Sequence, residues 1–85
     1  MADTAARGAR GRPRGVPLPG LRAARRRAFL TQAELAARSG VGLSTILRLE
    51  PGEVPAAFST ARKLAAALGV TPDVLARPPA AGAAP

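Results

Sequence analysis

Arginine supplies nearly all of the positive charge of this sequence, and its side chain can bind several kinds of anionic and polar group. The chain has 13 basic and five acidic residues, a net charge of +8 over 85 residues, and only Lys63 is a lysine. The planar guanidinium group forms paired hydrogen bonds with phosphate and with the guanine edge. This excess predicts a polyanionic partner, with nucleic acid the first candidate. A G+C-rich coding sequence would also favour Arg over Lys, but it would not explain the excess of basic over acidic residues.

The side chains that most catalytic and metal sites use are missing. The sequence has no His and no Cys, so the usual zinc ligand sets and disulfide frameworks cannot form. The few carboxylates show no pairing that would suit acid–base catalysis. We therefore expect a protein that is not an enzyme and that needs no metal and no cofactor.

Membrane and export signals are also missing from the sequence. No apolar run approaches the roughly 20 residues that span a bilayer. The N-terminus lacks the apolar segment of a signal peptide. We expect a cytoplasmic, nucleoid-associated location and no membrane partner.

Five short helices are predicted to position the candidate groups. Thr31 and Glu34 have the spacing of a capping box, Gly40 and Gly69 suit left-handed helix ends, and Pro72 suits a first helical turn. Together with the apolar spacing, these signals predict helices over about 21–28, 31–39, 43–50 and 57–68, and a short last helix from 71.

The domain organisation follows from composition. Residues 1–20 combine Arg with Gly, Ala and Pro and are expected to form a disordered arm. Residues 78–85 are rich in Pro and Ala and are expected to form a second disordered tail. The folded part is then residues 21–77, and the predicted fold class is all-α, a compact five-helix bundle.

Several motifs in this region carry a family resemblance. The blocks Leu30-Thr-Gln-x-Glu-Leu-Ala, Gly40-Val, Ser44-Thr-Ile, Leu49-Glu50-x-Gly52 and Leu64-Ala-x-Ala-Leu-Gly-Val70 resemble the lambda-repressor-like (Cro/Xre-type) helix-turn-helix domain. The resemblance implies a transcriptional regulator, with a repressor the expected kind, that binds double-stranded operator DNA as a homodimer.

The resemblance also implies which residues contact DNA. Gln32 matches a family residue that touches the DNA backbone. The third helix would present its outer face to the major groove, and Arg48 on that face could bind guanine, hold a phosphate or stay in solvent. The DNA-binding set comprises Gln32, Gly42, Leu43, Ser44, Thr45, Leu47 and Arg48. Arg25 and Glu50 match a family ion pair that links the first helix to the end of the third.

The sequence departs from the family at three places. Leu43 and Leu47 stand where polar residues are frequent, and they could contact thymine methyl groups or another protein. The loop after the third helix has Glu53 where the family often has a basic residue. Phe29 takes a turn position where Gly is frequent, and we expect it to pack as a core residue or as a hydrophobic staple.

The N-terminal arm resembles the core of an AT-hook, a motif that lies in the DNA minor groove. Its basic residues are Arg10, Arg12 and Arg14. They could enter a narrow minor groove or bind phosphates without sequence preference.

Two alternative functions remain open beside the specific regulator. The same fold could serve as an antitoxin-like or adaptor module that binds a protein partner. It could also act as a largely non-specific, nucleoid-type DNA binder that depends on the basic arm.

Overall fold

Five helices and a small two-stranded ribbon make up the computed structural model, which describes residues 15–79. The elements in chain order are β1 (Gly15–Pro17), α1 (Leu21–Arg27), α2 (Gln32–Ser39), α3 (Leu43–Leu49), β2 (Pro55–Ala57), α4 (Phe58–Leu68) and α5 (Pro72–Ala76). The predicted five-helix fold is confirmed, and each helix lies within one or two residues of its predicted bounds.

Helices α2 and α3 form the helix-turn-helix unit, and local signals set its boundaries. The Thr31 Oγ1 atom accepts a hydrogen bond from the Glu34 backbone N–H at 3.0 Å, and the Thr31 N–H donates to the Glu34 side chain at 2.8 Å. This capping box fixes the start of α2. Gly40 ends the helix with a φ of +77°, a left-handed conformation that glycine adopts without steric cost.

One apolar core joins all five helices and the ribbon. Its fully buried larger side chains are Leu18, Leu21, Leu35, Ile46, Leu49, Leu64 and Leu75. Buried alanines from α1, α4 and β2 complete this core. The core holds α3 by one side only, which leaves its opposite side in solvent.

The ribbon corrects the sequence-based boundary at residue 21. Strand β1 pairs antiparallel with β2 in the register Val16 to Ala56, and Leu18 is 0% exposed within the core. Gly15 permits this pairing, because a Cβ there would lie 1.9 Å from the Ala56 carbonyl oxygen. Residues 15–20 therefore belong to the folded domain and not to the expected arm.

Phe29 also differs from expectation. The sequence predicts a core residue or a hydrophobic staple at this position, but the Phe29 side chain is 92% exposed and its φ is +59°. The Phe29 and Leu30 N–H groups donate to the Arg26 and Arg25 carbonyls at 3.0 and 3.2 Å, a Schellman ending of α1. Phe29 occupies the left-handed position of that motif, and Leu30, the next residue, turns back against the core.

Candidate nucleic-acid interface

Helix α3 has two distinct faces. Ile46 and Leu49 point into the core and are at most 2% exposed. The opposite face exposes Leu43, Ser44, Leu47 and Arg48, with Thr45 half-buried at its edge and Gly42 exposed at the N-cap. The structure thus brings the predicted α3 residues together on one accessible surface.

A buried carboxylate anchors the end of this helix. The Glu50 side chain is only 4% exposed. It accepts hydrogen bonds from Arg25 Nε at 2.6 Å, from Arg25 Nη2 at 3.3 Å and from Gln32 Nε2 at 2.9 Å. Arg25 also donates to the Leu30 carbonyl at 2.8 Å. We call Arg25, Gln32 and Glu50 the Glu50 cluster; it ties α1 and the start of α2 to the end of α3.

The electrostatics of the Glu50 cluster favour the ionised carboxylate. Burial raises the pKa of Glu50, but the hydrogen bonds from Arg25 and Gln32 and the charges of Arg25 and Arg22 outweigh burial. The net result is a pKa below its ordinary value of 4.5. Arg22 stands 3.9 Å from the same carboxylate and is largely exposed. Glu50 is therefore a permanent anion at neutral pH, and its partners hold α3 in one orientation.

A helix-turn-helix family model matches residues 21–75, about two thirds of the chain and all of α1 to α4. The chain belongs to the Cro/C1-type helix-turn-helix family. No curated protein and no solved structure matches it. The match supports a DNA-binding regulator of the Xre/Cro kind, in a family of DNA-binding domains that are not enzymes. β1 and Leu18 lie outside the matched range.

Within this helix-turn-helix domain, Gln32 has a role that the sequence did not indicate. One hydrogen of its side-chain amide goes to Glu50, while the second hydrogen and the amide oxygen have no partner within residues 15–79 and can bind another group. The family resemblance implies only a contact between Gln32 and the DNA backbone. Correlated substitutions at positions 32 and 50 in related sequences could reveal the Gln32–Glu50 hydrogen bond, but a single sequence contains no such signal.

The basic residues of the domain leave a surplus of unneutralised charge. Residues 15–79 contain nine basic and four acidic residues. Arg25, Arg22 and Arg77 lie within 4 Å of a carboxylate. Over the described range, six exposed basic side chains have no ion-pair partner: Arg26, Arg27, Arg38, Arg48, Arg62 and Lys63. Arg48 is the one that lies on the outer face of α3.

Three further observations bound the site. Glu53, Val54 and Pro55 follow α3 and are exposed, so this loop offers phosphate no basic group.

The arm residues Arg10, Arg12 and Arg14 lie outside the described residues. In the part of the chain that the structure describes, no helix is long and apolar enough to cross a membrane, and no three His, Cys, Asp or Glu side chains gather as metal ligands would.

Proposed function

We propose that this protein is a sequence-specific DNA-binding repressor that recognises the major groove with the outer face of α3. The observation that carries the proposal is the exposed guanidinium of Arg48, which has no ion-pair partner among residues 15–79, on a helix whose orientation the Glu50 cluster fixes. In DNA-binding helix-turn-helix domains, the second helix of the motif, here α3, enters the major groove, and its side chains contact base edges. A protein bound in the major groove of an operator represses most simply by blocking the access of other proteins to that DNA.

Each candidate residue has a distinct role in this proposal. Arg48 binds guanine O6 and N7 with two parallel hydrogen bonds. Ser44 and Thr45 offer hydroxyl groups to base edges or phosphates. Gln32 donates its remaining amide hydrogen to a phosphate at the start of α2. Exposed arginines away from α3 add affinity that does not depend on sequence.

The N-terminal arm supplies a second contact in the proposal. The pairing of Gly15 with Ala57 fixes the point where the arm leaves the domain, at the start of α4. In this proposal Arg10, Arg12 and Arg14 bind phosphates or the adjacent minor groove. A homodimer on two half-sites would place two such arms on one operator, and a nucleoid location follows from DNA binding.

Selection from a random duplex library, followed by fluorescence-anisotropy titration, tests the specific regulator. We expect an enriched motif, preferred over random DNA by at least a thousandfold, which is typical of specific DNA binders. Affinity should fall steeply as salt rises, because Arg–phosphate contacts release counterions. Binding without any sequence preference would contradict the proposal.

Two other functions have specific support and give different results in this assay. The exposed pair Leu43 and Leu47 favours a protein-binding module. A stable complex with a protein partner that the Leu47→Glu substitution disrupts, together with an absence of DNA binding, would establish that function. The basic arm favours a non-specific DNA binder. Replacing Arg10, Arg12 and Arg14 with Gln would then remove affinity and leave no preference. Deleting residues 1–20 is unsuitable, because it would also remove Leu18 from the core.

A further inference from the structure

The apolar part of the α3 surface is the least expected feature of the candidate interface. Leu43 is 42% exposed and Leu47 is 48% exposed. Residues four apart on a helix are neighbours on one face, so the two side chains form a continuous apolar strip. Ser44 and Arg48 follow them in the sequence and flank the strip on the same exposed side of α3.

The chemistry of the major groove limits what such a strip can recognise. Of the groups that base pairs present there, the C5-methyl group of a pyrimidine gives an apolar side chain its largest apolar contact; the C5–H of cytosine gives a much smaller one, and the other groups donate or accept hydrogen bonds. Against any other base edge, the two leucines would remove water from hydrogen-bonding groups and offer nothing in return, which costs free energy. The strip therefore favours sites with C5-methyl groups and disfavours sites without them.

We infer that Leu43 and Leu47 are specificity residues that recognise C5-methyl groups, either of thymine or of 5-methylcytosine. This inference rests on the proposed function, since it assumes that α3 enters the groove. The charge of the surface supports DNA as the occupant, because Arg48 lies on the same face and the described domain has five more basic than acidic residues.

Helix geometry sets the spacing of the recognised methyl groups. A rise of about 1.5 Å per residue separates Leu43 from Leu47 by about 6 Å along the helix axis. A recognition helix lies along the major groove and not along the DNA axis, and side chains three or four residues apart on such a helix contact successive base pairs. The two methyl groups should therefore lie on neighbouring base pairs in each half-site, with the guanine bound by Arg48 close to one of them.

The test uses the full chain and the DNA site that it selects from a random duplex library. Each thymine of the site is replaced in turn by uracil, which removes only the methyl group, and each cytosine in turn by 5-methylcytosine, which adds one. Burying about one methylene equivalent corresponds to about a fourfold change in Kd. We expect uracil to weaken binding about fourfold at two neighbouring positions if the source is thymine. If the source is cytosine, 5-methylcytosine should tighten binding by a similar factor.

Side-chain variants assign each effect to its leucine. Leu43→Ala and Leu47→Ala should each abolish the response to the methyl group at one position. Val54→Ala is the matched control, because Val54 is also 42% exposed but lies beyond α3. It should leave both responses unchanged, whatever it does to overall affinity. Circular dichroism checks that every variant is folded.

The outcomes separate this inference from the proposed function. A clear sequence preference with no response to any methyl change overturns the inference and leaves the proposed function standing. Methyl responses that persist in both Ala variants also overturn it. A chain without any sequence preference overturns both, and a protein complex that Leu47→Glu disrupts would then assign the strip to a protein partner.

Discussion

Replacing Glu50 with Gln tests the coupling that orients α3. The substitution keeps the size of the side chain and one carbonyl acceptor but removes the charge that Arg25 and Gln32 surround. Removing one partner of a buried ion pair costs about 3–5 kcal/mol. Arg25 is 12% exposed and keeps its bond to the Leu30 carbonyl. We therefore place the loss in free energy of unfolding at the lower end, about 3 kcal/mol.

Thermal and urea unfolding, followed by circular dichroism, measures this loss. For a domain of this size, 1 kcal/mol moves Tm by about 4–8 °C, so the variant should melt at least 10 °C below the parent protein. Glu53→Gln is the matched control, because Glu53 is exposed and has no ion-pair partner in the described domain. It should change stability by less than about 0.5 kcal/mol. Equal effects of the two substitutions would refute the structural role of the Glu50 cluster.

The pH dependence gives the same prediction an independent check. The pKa of Glu50 is lower in the folded protein than its ordinary value of 4.5, so the unfolded chain binds the proton more readily. The stabilisation by Glu50 is complete above about pH 4.5 and is lost as the pH falls through the folded-state pKa. The stability difference between the parent and Glu50→Gln should shrink below pH 4.5. Glu34 and Asp73, whose pKa values are also lowered, are common to both proteins and cancel in the difference.

Two further substitutions test the parts of the fold that differ from expectation. Phe29→Gly should stabilise the domain by about 0.5–1 kcal/mol, because glycine relieves the left-handed φ and the exposed ring has little packing to lose; a lower Tm would contradict this account of the turn. Leu18→Ala should destabilise it by about 2–4 kcal/mol, since Leu18 is 0% exposed. A change below 0.5 kcal/mol in urea unfolding would show that residues before α1 are not part of the core.

Local signals explain why the helices could be predicted from the sequence. The Thr31–Glu34 capping box, Gly40 and Gly69 each act within a few residues, so their meaning does not depend on the rest of the fold. The inward positions of Ile46 and Leu49 follow from helical spacing, and they define the outer face of α3 by elimination.

Long-range contacts explain what the sequence did not predict. β1 has three residues and no alternating pattern, and it exists because Gly15 lets its backbone approach Ala56. The hydrogen bond from Gln32 to Glu50 joins residues 18 positions apart. The apolar side chain of Phe29 predicts a core or staple position, but the Schellman turn directs it to solvent.

The central claim, that the outer face of α3 recognises DNA sequence, is tested most directly by parallel selections with the parent chain and with Arg48→Ala. Arg62→Ala serves as the control, because Arg62 is also exposed and unpaired in the described domain but lies on α4. We predict that Arg48→Ala loses the preference for guanine at one position, a change of about 1–3 kcal/mol, and keeps the remaining motif. Arg62→Ala should weaken binding at most uniformly. Identical motifs from the parent and Arg48→Ala would contradict the assignment of Arg48, and no motif from the parent would contradict the central claim itself.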